Sequence, residues 1–333
     1  MTKTNFNSGN NMIKSNGFNP AEVIFSLTDA CNLHCPHCFV PREKRNLNAN
    51  DAISFLRNVS KYKAPDGLPY INKVGFSGGE PFLRLDFLCT VIKETIDLNM
   101  NFDRIMTNAI WWNSEEQLKM TLNELYDTGY DGKIGISFDN FHAQPAEKIA
   151  RFCSIATEIW QDPELLVIQS VINPAISIEK DMQCLNKLAE ILCADIQTEL
   201  KEDGTGEMAL ENDDMFIYVY RFLPSLQSES PEAWKSSVWF KEDYCQGPGN
   251  IFYIHPDGNI APCCGFSNEN KQLYIGNIHS DFTEIMKNAS ENPMVKLCFE
   301  KGLSSILKER QHNFPGKTAD ICTFCDFICK SFQ

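Results

Sequence analysis

From Val23 onward, short apolar runs alternate with longer stretches in which apolar residues return at i, i+3, i+4 and i+7. The short runs predict strands at Val23 to Leu27, Lys73 to Ser77, Phe102 to Thr107, Lys133 to Phe138 and Leu166 to Val171. The helical period predicts helices near 48–62, 84–99, 114–128, 145–161 and 179–193, and Pro145 suits a first helical turn. A sixth strand is carried either by Asp195 to Leu200 or by Phe216 to Phe222. Strand followed by helix, repeated five or six times, implies an α/β fold with a parallel sheet and right-handed crossovers, closed into a barrel or partial barrel. Ligands in such folds sit at the C-terminal ends of the strands, in the loops that follow.

The pattern changes near residue 225. Residues 225–237 are rich in Ser, Pro and Glu and read as a connection, and beyond them seven of the 14 Cys fall within 245–329. The expected organisation is a flexible tail over 1–20, a barrel over 21–225, a connecting segment over 226–243 and a cysteine-rich module over 244–333.

Charge narrows the partners. Lys and Arg total 30 against 44 Asp and Glu, a formal net charge of −14, so the chain lacks the basic footprint that nucleic-acid binding needs. No apolar run approaches the roughly 18 residues of a membrane span. The polar, Asn-rich N-terminus has no signal-peptide core. Neither a nucleic-acid nor a membrane partner is expected, and the location implied is cytoplasmic. Thiols stay reduced there, and clustered cysteines point to metal or to chemistry.

Directly after the first predicted strand comes Cys31-Asn-Leu-His-Cys35-Pro-His-Cys38. Three thiolates in one loop at the catalytic end of a barrel suit an iron–sulfur cluster with one iron left open. A zinc site normally wants four ligands in separated pairs and fits the spacing less well. His34 and His37 are rival ligands, more simply read as bystanders.

These residues resemble the CxxxCxxC signature of radical S-adenosylmethionine (radical SAM) enzymes. Gly78-Gly79-Glu80-Pro81, at the end of the second strand, resembles that family's GGEP motif, and Ser137-Phe138-Asp139, at the end of the fourth, resembles its ribose-contacting motif. The resemblance implies a partial (β/α)6 barrel, a 4Fe-4S cluster on Cys31, Cys35 and Cys38, and SAM chelated at the open iron. It also implies cofactor-binding roles for His37 beside the adenine, Gly78, Gly79 and Glu80 at the methionine end, and Ser137 and Asp139 at the ribose. Glycine lets backbone approach a ligand closely, and Glu80 would orient the SAM amino group. His142 is either substrate-facing or a surface histidine.

The second module opens on Cys245-x12-Gly258-x4-Cys263, and Asp257-Gly258 is itself a hairpin signal. The spacing resembles the start of the SPASM or twitch auxiliary-cluster domains that follow many radical SAM barrels. The closing run, Cys322-x2-Cys325-x3-Cys329, is shorter than a full SPASM pattern and implies a single second 4Fe-4S cluster. The expected ligands are Cys245, Cys263, Cys322 and Cys325, with Cys329 as substitute or fifth candidate; a zinc-ribbon site is the alternative. Cys264, beside a ligand, is most simply a packed thiol. By resemblance to peptide epimerases it is also a candidate catalytic hydrogen-atom donor. Cys89, on the stripe Leu85, Leu88, Ile92 and Ile96, and Cys153, with Ile149, Ala156 and Trp160, are expected in the core. Cys184, Cys193 and Cys298 are given the same place.

The resemblance implies reductive cleavage of SAM to a 5′-deoxyadenosyl radical that takes hydrogen from a substrate, with flavodoxin or ferredoxin as electron donor. Relatives with auxiliary clusters mostly crosslink, epimerise or oxidise ribosomally made peptides, so a precursor peptide is the expected substrate. The tail is too short for a winged-helix leader-binding domain. Oxidation of a small molecule such as an amino sugar is the alternative, and a non-catalytic iron–sulfur or zinc scaffold is the alternative from another class.

Overall fold

All five predicted strands between residues 22 and 171 form, side by side and parallel: β1 (Glu22–Ser26), β2 (Lys73–Ser77), β3 (Asn101–Thr107), β4 (Lys133–Ser137) and β5 (Leu166–Val171). The computed structural model describes residues 17–64, 67, 69–241, 243–245, 248–309 and 314–331, so most of the tail expected over 1–20 lies outside the described residues. The crossovers are α1 (Ala49–Val59), α2 (Leu85–Asp97), α3 (Glu115–Tyr126) and α4 (Ala146–Trp160), then α5 (Ile178–Asp181) and α6 (Gln183–Leu192), into which the predicted 179–193 helix is divided. Local chemistry sets the starts. The Asn48 side chain accepts the N–H groups of Asn50 and Asp51, and Ser114 accepts that of Gln117.

Phe216 to Phe222 supplies the sixth barrel strand. It is β8 (Phe216–Phe222), parallel to β5, whereas β6 (Asp195–Leu200) and β7 (Gly206–Glu211) form an antiparallel extension that ends the sheet. On the far side of β1 the sheet continues through β9 (Gly249–Ile254), parallel to β1, and then β10 (Asn259–Cys263) and β11 (Gly276–Asn277). Asp257-Gly258 makes the β9–β10 turn, with Gly258 at φ +85. The architecture is a partial (β/α)6 barrel whose sheet runs unbroken into the cysteine-rich module, where α7 (Phe282–Glu291), α8 (Pro293–Lys296), α9 (Ser304–Glu309) and α10 (Ile321–Ser331) follow.

Strand alternation sorts the side chains. Val23 and Phe25 of β1 and Val74 and Phe76 of β2 are buried under the helices, the Phe25 ring 6.2 Å from Phe87 of α2. Glu22, Ile24 and Ser26 therefore face the inner side, where Gly75 leaves room: a Cβ there would stand 3.2 Å from Glu22 Oε1. Gly135 does the same beside Arg104 and Met106.

Three core assignments need correction. The buried face of α2 is Phe87, Leu88, Val91 and Ile92, so the stripe is rotated from the expected one, Ile96 is exposed and Cys89 lies half-buried at its margin. Cys193 is exposed, because it caps α6 in the left-handed conformation (φ 51), one step past the buried Leu192. Cys184 is half-buried, while Cys153 is in the core as expected.

Candidate functional site

The loop that carries Cys31, Cys35 and Cys38 leaves the C-terminal end of β1, with Cys31 and Cys35 half-buried, Cys38 exposed and the Cys38 N–H closing a turn on Cys35 O at 3.1 Å. The ends of β2, β3 and β4 lock it in place. Gly79 N–H donates to Thr28 O at 2.6 Å and Glu80 N–H to Ala30 O at 2.8 Å. The glycines permit this contact: a Cβ on Gly79 would stand 2.3 Å from Ala30 O, and one on Gly78, itself at φ +137, 2.7 Å from Thr28 O. Close approach thus serves the cysteine loop, and both of those amides are already engaged within the chain.

Glu80 is fully buried. Its carboxylate accepts the Phe82 N–H, the Thr107 hydroxyl and the Asn108 N–H at 2.8–3.1 Å, and burial pushes its pKa up to about 7 against those donors. Asn108 is a site residue the sequence did not single out. Its amide also donates to Asn32 Oδ1 at 2.7 Å and lies 3.6 Å from Cys31 Sγ. Gln144 is another, joining Asn108 O (2.9 Å) to Ser137 O (2.7 Å). A lone Asn past one strand and a Gln ahead of a helix carry no spacing that would have marked them.

Ser137 is half-buried at the end of β4, and the Asp139 carboxylate is engaged with its own loop. Its Oδ1 accepts the N–H groups of Phe141 and His142 and lies 2.8 Å from His142 Nδ1, while Oδ2 accepts the Val171 N–H. Burial opposes its charge, yet these donors hold it below the usual carboxylate range. His142 is half-buried rather than on the surface. Burial disfavours its charge too, but Asp139 and Cys35 push it up to about 9. The ligand atoms of His37, Asp139 and His142 lie within 4.8 Å of one another, and the buried His37 Nδ1 has no hydrogen-bond partner among the described residues. His34 is exposed.

At the other end of the chain, Cys245, Cys263, Cys298, Cys322 and Cys325 line one cavity with Pro248, Leu273 and Phe299. Cys298 is in the core as expected, and there it also lines this cavity. Its Sγ lies 3.9 Å from Cys325 Sγ, and its carbonyl accepts the Cys245 N–H. Cys322, Cys325 and Cys329 share one face of α10 by their i, i+3 and i+7 spacing, with Cys329 against Cys325 and absent from the cavity lining. A sulfur-lined cavity suits an iron–sulfur cluster or zinc by its donor chemistry.

Cys263 and Cys264 diverge. Cys263 lines the cavity, whereas Cys264 does not, and the charges acting on its thiol include Glu22, Asp103 and Arg104 from the barrel strands. Its N–H donates to Pro248 O at 2.7 Å. Burial pushes its pKa up to about 12, so the sulfur keeps its proton. The buried Tyr253 phenol is hydrogen-bonded to Ser26 and Ser77, and burial raises its pKa.

Residues 21–146 match the model of a 4Fe-4S single cluster domain, and residues 245–326 match that of SPASM, an iron-sulfur cluster-binding domain. The fold resembles anSMEcpe, solved with bound AdoMet and the Cp18Cys peptide, at a TM-score of 0.52 and 15% identity over 94% of this chain and 97% of that one. The chain is a radical SAM enzyme with a SPASM domain. This radical SAM enzyme is 33% identical to GTP 3′,8-cyclase of Listeria monocytogenes, over 39% of its own chain and 36% of that protein, so the match spans little more than a third of the cyclase. It is 21% identical to YydG of Bacillus subtilis, a candidate peptide biosynthesis protein, over 93% of its own chain and 92% of that one. Among the described residues no helix is long and apolar enough to cross a membrane.

Proposed function

We propose that this radical SAM enzyme modifies a ribosomally made peptide, and that the modification is epimerisation at an α carbon. The observation that carries the reading is the divergence of Cys263 and Cys264, which sets a protonated thiol on the barrel side of the auxiliary site. Cys31, Cys35 and Cys38 would hold the SAM-binding cluster, and the thiols lining the second cavity, Cys298 among them, the auxiliary one. His37, with its unpartnered buried Nδ1, and Ser137 are the groups left free for SAM, since Asp139 and Glu80 chiefly fix the loops around it. When bound and reduced, the cluster and SAM supply a carbon-centred radical able to remove hydrogen from an unactivated C–H bond.

The chain's own part is to return the hydrogen. The Cys264 S–H gives a hydrogen atom to the opposite face of the substrate carbon, and the sulfur regains one electron from an external donor such as flavodoxin or ferredoxin and one proton from solvent. The high thiol pKa keeps that hydrogen in place at neutral pH. A nucleoside triphosphate substrate would need free cations on the inner face, but Lys73 and Arg104 there are paired with Asp103 at 3.7 and 2.9 Å.

The test uses a short precursor-like peptide encoded beside the gene, with SAM and reductant in heavy water. The expected product gains one deuteron there, is unchanged in mass in ordinary water, and takes up no deuterium with Cys264→Ala. Deuterium retained in that variant overturns the donor role. A loss of about two hydrogens means crosslinking or oxidation instead. Absence of 5′-deoxyadenosine from protein with full iron content overturns the enzymatic reading.

A further inference from the structure

The antiparallel extension β8–β7–β6 has one face that no element among the described residues covers. Register puts Phe216, Glu211 and Asp195 abreast on it, then Tyr218, Ala209 and Gln197, then Tyr220, Glu207 and Glu199, with Phe222 beyond. The opposite face holds Ile217, Val219, Leu210 and Met208, all buried, so the fold gains its core from that side alone. On the open face Tyr218, Tyr220 and Phe222 are 41%, 38% and 41% exposed, which is unusual for a column of aromatic residues.

Four carboxylates flank this column, and among the described residues none of them forms an ion pair, although Glu211 accepts the Gln197 amide at 2.6 Å. Among the ten residues of the face there is no Lys or Arg. The face is also continuous with the barrel interior, because Tyr220 is in register with Gln169 of β5, which is in register with Ser137 of β4. Exposed Tyr rings beside carboxylates favour one class of group, an alkylammonium or guanidinium, through cation–π and charge attraction together.

We propose that this face docks a basic, extended segment of the peptide substrate, its Lys or Arg side chains over Tyr218 and Tyr220 and against Glu199, Glu207, Glu211 and Asp195, so that the following residues enter the barrel. The proposal rests on the reading that the substrate is a peptide, and adds where it is held and what its charge is. The face leads directly from β8 to β5 and the barrel strands, so a segment bound there needs no separate recognition domain.

The probe is a fluorescein-labelled Lys-Ser repeat peptide, with a Glu-Ser repeat as its twin, titrated by fluorescence anisotropy into the full-length, cluster-reconstituted protein at low salt. The Lys peptide is expected to bind at least about tenfold more tightly than the Glu peptide and to weaken as salt rises. Glu207→Gln/Glu211→Gln should weaken it about tenfold, and Tyr218→Ser/Tyr220→Ser about threefold, the range of exposed cation–π contacts. All four positions are at the surface, so unchanged melting temperatures would exclude misfolding. Equal binding of both peptides, or binding of the Lys peptide that neither double variant alters, overturns the proposal. 5′-Deoxyadenosine formation by the wild type without peptide reports the enzymatic reading separately, so either can fail alone.

Discussion

Replacing Gly79 by Ala should remove the barrel cluster without unfolding the chain. The added methyl would lie 2.3 Å from Ala30 O, 2.7 Å from Ala30 C and 2.8 Å from Asp29 C, all backbone atoms of the segment that leads into Cys31. None can rotate away, so that segment must shift. Two hydrogen bonds go with it, Gly79 N–H to Thr28 O and Glu80 N–H to Ala30 O. At about 1 kcal/mol for each bond and about 1–3 kcal/mol for overpacking, the destabilisation is about 3–5 kcal/mol. That is within the stability of many domains, so a folded protein with a displaced cysteine loop is expected. The assay is iron and sulfide content after anaerobic reconstitution, read beside urea denaturation: iron should fall from about eight to about four per chain, given two four-iron clusters. Gly135→Ala is the control. Its methyl meets Met106 Sδ at a similar 2.4 Å, but this is the end of a flexible side chain, and iron content should stay whole. Full iron in Gly79→Ala with less than about 1 kcal/mol lost would refute the reasoning.

Two further outcomes follow from the same geometry. Cys298→Ala should lower iron content by the auxiliary cluster's share, whereas Cys193→Ala, at an exposed helix cap, should leave it unchanged; unaltered iron in Cys298→Ala would mean that its sulfur only lines the cavity. Glu22 predicts a pH dependence. Burial and then Asp103 raise its carboxyl from 4.5 to about 7, so the folded state binds a proton that the unfolded state has released. The stability this confers is complete below pH 4.5 and is lost as pH rises through 7. Glu22→Gln, which cannot titrate, should therefore gain on the wild type between pH 5 and pH 8 by about 2 kcal/mol, allowing for partial solvent screening. Thermal melts at the two pH values check this, and parallel shifts of both proteins would show that Glu22 does not titrate in that window.

Much of this was legible in the residues because it is local. Five strand–helix units, the cysteine loop after β1 and the Gly258 turn each declare themselves within a few positions. What escaped depends on pairing across long separations. The choice between Asp195 to Leu200 and Phe216 to Phe222 turned on which run meets β5, and the β7 hairpin between them is an antiparallel insertion into a parallel pattern. Cys298 belongs to no motif, and its place beside Cys325 is set by how the segment after α8 packs on α10. The glycines at 78 and 79 were conspicuous, but the atoms that require them, Thr28 O and Ala30 O, lie some fifty residues earlier.

The pairing of β9 with β1 also governs how the chain acquires its structure. Val23 has Phe252 as its ladder partner, so β1 keeps an open edge until β9, more than two hundred residues later, has been made. Contacts between such distant residues form slowly, and an unpaired apolar strand invites association in the meantime. Truncation before β9 would make that interval permanent. A barrel expressed without its cysteine-rich module should aggregate, since Phe25 meets Ile254 only nine residues before Cys263, the β10 thiol of the second site.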